Sequence, residues 1–437
     1  MWNEKTMSQT SFSHVNDDYG YPTHPNSQRK LRNAVVYTNK RILLSIIYIL
    51  LSLLGIWLRL SKLGERKPPL TPQQFHPRRI LVLRLDLIGD LVMSLTVIRA
   101  LKRTYPAAAI DLLAMPSSAQ IVLSDPALSE VITYDPNIWR RPKALLHPKH
   151  WRAALALRRR LRARQYDLAV SIFGPWAAML AVVSGAKRRI GFGKEGYPGF
   201  MTDSIPGQHW TPGDNLHEVD YCLRLAHAAG ATITADDRIP HLFVQPEAKQ
   251  EVAALLHKAG LQPEKPLIAC HISSHNGQSK RWPIPYWARL IERLIREDGA
   301  NVVLTGAPND LPQIEAVTRR LHEDPLNLAG KTSLPQLAAL LAHADLLVTG
   351  DSGPMHIGAA VGTPLIAIHG PTDPGLSGPI SPQATILRSD IWCSPCYNAK
   401  GPADCRFYTT QCMKDIAPDQ VLAAIHEKLA DRTRTGS

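Results

Sequence analysis

A strand, a tight polar turn and a helix follow one another over residues 344–361, and no other stretch limits the fold as much. The apolar run 344–349 reads as a buried parallel strand ending at Gly350. Asp351, Ser352 and Gly353 form the turn and Pro354 suits the first helical turn. Gly362 then stops the helix, and a second strand follows over Leu365–His369. Repeated, this unit builds a parallel α/β sheet. It also aims free backbone N–H groups and the positive end of a helix dipole at the space above the sheet. The Ser352 hydroxyl and His356, on the first helical turn, reach the same space. Such a group suits a diphosphate held without a metal. The plainer alternative is an ordinary turn in which Asp351 or Ser352 only caps the helix.

The alternation extends back along the chain. Residues 80–85 read as a strand, 86–90 as a turn and 91–105 as a helix. Strands at 110–114, 131–134 and 166–173 follow, with helices at 151–165 and 216–229. After a break at 236–246 the series restarts with a helix at 247–259, a strand at 267–272, a polar loop and a helix at 285–297. A strand at 301–305, helical segments at 311–321 and 334–342, and a last helix at 418–429 complete it. The expected architecture is α/β, with two Rossmann-like domains at 78–240 and 246–430 facing a cleft at the carboxyl ends of their strands.

The formal charge of +13 is uneven: residues 139–165 hold ten Lys/Arg and no acid, and residues 1–80 hold twelve against four acids. No zinc finger, RNA-recognition signature or aromatic–basic interleaving accompanies it, so nucleic acid is not an expected partner. Anionic lipid headgroups or a phosphorylated acceptor fit better, beside the alternative of a solvated arginine-rich helix at 139–165. Residues 42–58 are 17 uncharged residues between Arg41 and Arg59. As a helix they reach ~26 Å, slightly short of the hydrocarbon core, a gap that snorkelling arginines close. Residues 42–60 are therefore expected to be a membrane-anchor helix, spanning or interfacial, with a buried core helix as the alternative. Residues 1–41, rich in Ser, Asn, His and Tyr, are expected to be a disordered tail.

Cys222 and Cys270 sit in apolar patterns and read as core. Cys393, Cys396, Cys405 and Cys412 cluster, with a CxxC start. Three readings stay open for them: a structural metal site, disulfides, or free thiols in a folded flap.

In the cleft, the turn RLDLIGD places Asp86 and Asp90 just past the first strand. Either acts as a helix-N-terminal acid or as a general base toward an acceptor hydroxyl. In the second domain, the loop HISSHNGQSKRWP supplies Ser273, Ser274 and Lys280 for phosphate oxygens, while Trp282 packs the loop on the helix behind. Asp310, in TGAPND, is a candidate for ribose hydroxyls or a helix cap. Arg188 and Arg189 are acceptor-side candidates. No DxD pair or His-x-Glu cluster points to a catalytic metal. Hydroxyls, a lysine and a helix terminus on one side and a carboxylate on the other fit transfer from a nucleotide-activated donor.

These pieces resemble glycosyltransferase family 9, the ADP-heptose:lipopolysaccharide heptosyltransferases. The likeness is carried by ILVLRLDLIGDLVMSLTVIRALKRTYP, the KRWP loop, the block from LAGKTSLPQLAALLAHADLLVTGDSGPMHIGAAVG through GPTDP, and the CSPCY…C…CM tail. It covers about residues 78–430. The resemblance implies a GT-B fold and an inverting, metal-independent transfer from an ADP-sugar to a lipopolysaccharide-core or other glycolipid acceptor, with no cofactor required. It further implies that Asp90 is the base and that Ser273, Ser274, Lys280, Asp351, Ser352, Gly353 and His356 hold the diphosphate of the donor in the C-terminal domain. Because ADP-sugars are made in the cytosol, the catalytic domains are expected on the cytoplasmic side of a bacterial inner membrane. The alternatives are a non-catalytic nucleotide-binding membrane scaffold and a GT-B sugar-nucleotide epimerase. The 77 residues before the resemblance begins depart from the family's pattern and leave the acceptor and the sugar open.

Overall fold

A computed structural model describes residues 75–195, 199–207, 216–274, 277–397 and 404–435. The expected tail at 1–41 and anchor at 42–60 lie outside the described residues. No described helix is long and apolar enough to cross a membrane.

The first half builds a six-stranded parallel sheet from β1 (Arg79–Arg84), β2 (Ala109–Ala114), β3 (Glu130–Thr133), β4 (Leu168–Ser171), β5 (Arg188–Phe192) and β6 (Asp203–Ile205). Its order is β3-β2-β1-β4-β5-β6. The second half repeats the plan with β7 (Leu267–His271), β8 (Asn301–Thr305), β9 (Leu326–Asn327), β10 (Leu346–Gly350), β11 (Leu365–His369) and β12 (Ala384–Arg388). These run β12-β11-β10-β7-β8-β9. Counted from its own first strand, each sheet has the same order, and each reverses direction of winding beside that strand. A crevice opens there, at the carboxyl ends. The central strands LIACH, LLVTG and LIAIH are buried at every residue, as strands covered on both faces must be.

The connecting helices are α1 (Ile88–Thr104), α2 (Pro148–Ala163), α3 (Gly174–Val183), α4 (Glu218–Ala228), α5 (Pro246–Lys258), α6 (Ile284–Arg296), α7 (Leu311–Thr318), α8 (Leu334–His343), α9 (Gly353–Val361) and α10 (Pro418–Thr435). Gly362 ends α9 in the left-handed conformation, φ 84°, where a residue with a Cβ would be strained.

Sequence pattern alone did not show α3, β5, β6, β9 and β12. The α3 segment GPWAAMLAVV has no polar face to betray its period, β5 opens on two arginines, and β6 and β9 are only three and two residues long.

The two halves share a core. One apolar cluster runs from Leu91, Leu95 and Ile98 on α1 and Leu225 on α4 to Leu337 and Leu341 on α8 and Ile357 on α9. The linker is strapped to the second half by Leu242 N–H donating to Ala360 O at 3.0 Å. The other face of the first sheet is covered by Leu157 and Leu161 of α2 with Ala177 and Ala181 of α3.

Candidate active site

Two helix starts meet at the crevice. Residue Gly89, in the first turn of α1, lies so close to His356 of α9 that an added Cβ would stand 2.7 Å from the imidazole Cδ2. Gly353, at the start of α9, faces Ile88 across the same contact. Asp90 and the GDSGPMH turn therefore stand on adjoining helix termini, one from each half.

On the first half, β1 ends in Arg84, whose guanidinium is 2% exposed and sits among three carboxylates. It lies 2.9 Å from Glu218, 3.1 Å from Asp86 and 3.4 Å from Asp90. The Phe173 ring is 5.5 Å from its central carbon. Burial works to strip the Arg84 proton, and the carboxylates of Glu218, Asp86 and Asp90 outweigh it, so the guanidinium stays charged. Asp90 keeps about a third of its side chain open to solvent. Burial of its carboxyl pushes the pKa up to about 6; Arg84 opposes this, and the like charges of Asp86 and Glu218 add to it. A carboxyl tuned to about 6 is mostly ionised at neutral pH yet more basic than an ordinary carboxylate, which suits a general base.

On the second half, β10 delivers Asp351 to the crevice and the loop after β7 delivers Lys280. The two pair at 2.6 Å, each about 10% exposed. Burial raises the Asp351 pKa, but Lys280, followed by His369 and His356, more than offsets it, and the net shift is downward. Ser274 Oγ donates to Asp351 O at 3.0 Å, tying the serine loop to the turn. The hydroxyl of Ser352 lies 3.0 Å from that of Thr349. Ser352 precedes α9 without capping it through its side chain, so the plain cap reading fails there. Ser273 Oγ lies 3.4 Å from His271 Nε2. His356 is buried and its pKa falls to about 4, chiefly by desolvation, so it is neutral at pH 7. The Lys280 ammonium stands 4.2 Å over the Tyr397 ring, which comes from the cysteine-rich segment. As expected, Trp282 is buried behind the loop, its Nε1 donating to Ile416 O at 2.8 Å.

One other expectation changes, and for Asp310 and the cysteines the structure shows one of the alternatives left open. Arg188 and Arg189 are not at the crevice: they open β5, so they lie at the amino end of the sheet. Arg188 pairs with Asp203, and Arg189 donates to Phe200 O at 2.7 Å and Ala186 O at 3.0 Å. Asp310 accepts from Ala307 N–H at 2.7 Å, which makes it a turn cap at the end of β8. The four clustered cysteines are free thiols. Among the described residues, no three His, Cys, Asp or Glu side chains converge to hold a metal. Cys412 is buried against Gly370, Cys396 is exposed, and the Cys405 sulfur is engaged by backbone N–H groups of Thr410, Phe407 and Thr409.

Sequence reading missed Arg84, Glu218, His217 and Tyr397. The arginine that closes the apolar strand RILVLR was the one available signal, since a charge at a buried position needs a partner. His217 is a bridge between halves. Its Nδ1 accepts from Val219 N–H at 3.1 Å, capping α4, while its Nε2 lies 3.0 Å from Gly378 O. One neutral tautomer satisfies both contacts, and burial lowers its pKa accordingly.

Paired doubly wound sheets with polar helix starts at a shared crevice define the two-domain architecture used by GT-B glycosyltransferases. Comparison with known proteins narrows the class. The family model for glycosyltransferase family 9 (heptosyltransferase) matches residues 154–406. The lipooligosaccharide heptosyltransferase 2 of Haemophilus influenzae is 32% identical over 370 residues, which is 80% of this chain and 99% of the relative. The lipopolysaccharide heptosyltransferase 2 of Salmonella typhimurium is 29% identical over 367 residues, 81% of this chain and 99% of the relative. A solved structure of the E. coli ADP-heptose lps heptosyltransferase II shares 27% identity at a TM-score of 0.63, covering 81% of this chain and 99% of that one. The chain belongs to glycosyltransferase family 9, the heptosyltransferases, and is a glycosyltransferase.

Proposed function

We propose that this enzyme transfers a heptose from ADP-heptose to a lipopolysaccharide-core or related glycolipid acceptor, without a metal and with inversion at the anomeric carbon. The observation that carries the reading is the contact of the two helix starts. It brings the helix carrying Asp90, a carboxyl with a pKa of about 6, against the helix whose N-terminus follows the Lys280–Asp351 pair and Ser352. The half at 78–240 takes the acceptor and the half at 246–430 the donor. The sugar and the acceptor class follow those of the heptosyltransferases that the chain resembles.

In this reading the acceptor hydroxyl gives its proton to Asp90. Its oxygen attacks the anomeric carbon from the face opposite the diphosphate. As the new C–O bond forms, the bond to the diphosphate oxygen breaks and ADP leaves. The negative charge that grows on the leaving group is met by Lys280, by the Ser352 hydroxyl and by the N-terminal dipole of α9, starting at Gly353. Those fixed groups supply the positive potential, so the step needs no divalent ion. Neutral His356 closes the crevice from the side, and Ser273 and Ser274 hold the loop that carries Lys280. Residues 42–58 tether the enzyme to the cytoplasmic face of the inner membrane, where its acceptor resides.

Calorimetric titration of ADP, UDP and GDP into the full chain tests the donor half. ADP is expected to bind selectively, and Lys280→Ala to weaken it by ~10–100-fold, the loss of one charge-assisted phosphate contact. Equal affinity for all three nucleotides, or indifference to Lys280→Ala, overturns the assignment.

A further inference from the structure

The outer layer of the first half carries a surface that the transfer chemistry does not use. Beyond β3 the chain turns through residues 136–146 and enters α2, covering one edge and one face of the sheet. This stretch exposes large apolar side chains: Leu146 is 82% exposed, Trp151 51%, Leu155 47% and Leu145 42%. Trp151 and Leu155 lie one turn apart on α2, on the side away from buried Leu157 and Leu161. Trp139 packs against Trp151 with ring centroids 4.9 Å apart and the planes tilted by 60°. The Trp151 indole N–H is spent on Leu145 O at 2.9 Å, which fixes the ring at the surface instead of in the core.

Positive charge surrounds this apolar ridge. Arg160 is committed to Glu130, Arg164 to Asp111, and Arg162 reaches Val183 O. Arg140, Arg141, Lys143, Lys149, Arg152, Arg158 and Arg159 make no ion pair among the described residues, and residues 139–165 contain no acid that would pair with them. Position matters as well. The 136–151 segment follows the carboxyl end of β3, the end of the sheet from which Asp90 also projects, whereas Arg164 returns to the amino end, where its carbonyl accepts from Arg79.

We propose that residues 136–163 dock on the surface of an anionic bilayer, with Leu145, Leu146, Trp151 and Leu155 at the headgroup–acyl boundary and the basic side chains on the headgroup phosphates. Each half of the surface needs the other. Sugar-linked phosphates alone give the apolar ridge nothing to contact, and an apolar partner gives the arginines none. Indole and leucine side chains inside a basic fringe match the interfacial zone of a membrane with negative lipids. Docked this way, the acceptor half of the crevice faces the bilayer that holds a glycolipid acceptor. This contact is separate from the residues 42–58 tether, and it does not depend on the identity of the donor.

The test is hydrogen exchange measured by mass spectrometry on the full chain bound to vesicles, read at peptides spanning 136–163. Because residues 42–58 reach a bilayer by their own hydrophobicity, vesicle binding as such is not the readout. On vesicles with about 30% phosphatidylglycerol, exchange at 136–163 is expected to slow by ~10-fold or more, with little change on pure phosphatidylcholine. A triple variant Arg152→Glu, Arg158→Glu, Arg159→Glu removes that protection, and Trp151→Ser with Leu155→Ser reduces it. Exchange in α1 and the thermal midpoint stay as in the parent in both variants, which shows that they fold. No protection on the anionic vesicles overturns the proposal. So does equal protection on neutral vesicles, or equal protection from soluble inorganic polyphosphate.

Discussion

Arg84 is the residue on which the chemistry of Asp90 turns. Its single buried guanidinium is shared among Glu218, Asp86 and Asp90, with Glu218 nearest. Glu218 thus draws the cation away from Asp90 and adds its own repulsion, and both effects keep the Asp90 carboxyl basic. Other polar groups nearby include Cys222 on α4, 3.8 Å from both Glu218 and Ser94, His217 at the start of α4, and His356 on α9 against Gly89. Removing the negative charge with Glu218→Gln frees Arg84 toward Asp90. The acid limb of log kcat/KM, expected near the Asp90 value of about 6, then moves to lower pH, with a plateau lowered by ~10-fold or more. Arg84→Gln shifts the same limb to higher pH. Two limbs that move in the same direction, or neither moving, contradict this account of the network. The sequence showed Asp86 and Asp90 as equals, and the resemblance ranked them. What it concealed was Glu218, 134 positions away from Arg84 along the chain. Pairing at that separation depends on α4 folding back over β1, which no local pattern encodes.

At the scale of elements, the contact between the starts of α1 and α9 holds the two halves of the site in register. Gly89 is needed there for space, not for backbone freedom. In Gly89→Ala the new methyl meets His356 Cδ2 at 2.7 Å, and the helix termini must part. The expected result is a folded enzyme with kcat/KM lower by ~10–100-fold, since misplacing reacting groups by about an ångström has that scale of effect. His356→Ala should cost less in that background than in the parent, because the two side chains compete for one space. Additive losses would show that the contact is not what couples them. Elements with a clear period, such as the strand–turn–helix ending at Gly362, were legible to within a residue or two. Those without one, such as apolar α3 and arginine-led β5, were not. That failure also misplaced Arg188 and Arg189: without β5 as a strand there was no way to see that they lie at its amino end.

For the whole molecule, the burial of four histidines near the crevice and between the halves makes the fold acid-sensitive. His271 and His356 are held down to about 4, mainly by desolvation, and His217 and His369 are lowered for the same reason. In the unfolded chain these groups titrate near 6.5. Between pH 6.5 and 4 the unfolded state therefore binds more protons, so stability is present above this window and lost as pH falls through it. Thermal midpoints measured from pH 7.5 to 4.5 are expected to fall steeply below pH 6.5. A flat profile would mean that the histidines are neither buried nor neutral in the native state. The +13 charge was legible at this scale, but its meaning needed three dimensions. Only the fold separates the arginines of α2 that are paired inside the protein from those that ring Trp151 and Leu155 at its surface.

Asp90→Asn, assayed for heptose transfer from ADP-heptose and for ADP binding on the same preparation, tests the central claim most directly. The variant should be at least as stable as the parent at pH 8. A carboxyl raised to about 6 from 3.8 costs stability once ionised, about 1 kcal/mol after allowance for its solvent exposure. Any loss of activity is then chemical. The account predicts turnover reduced by ~1,000-fold or more, with ADP affinity within about threefold of the parent, as for loss of a general base that does not touch the donor. Turnover that survives, or ADP binding that collapses with it, would contradict the assignment of Asp90 as the base.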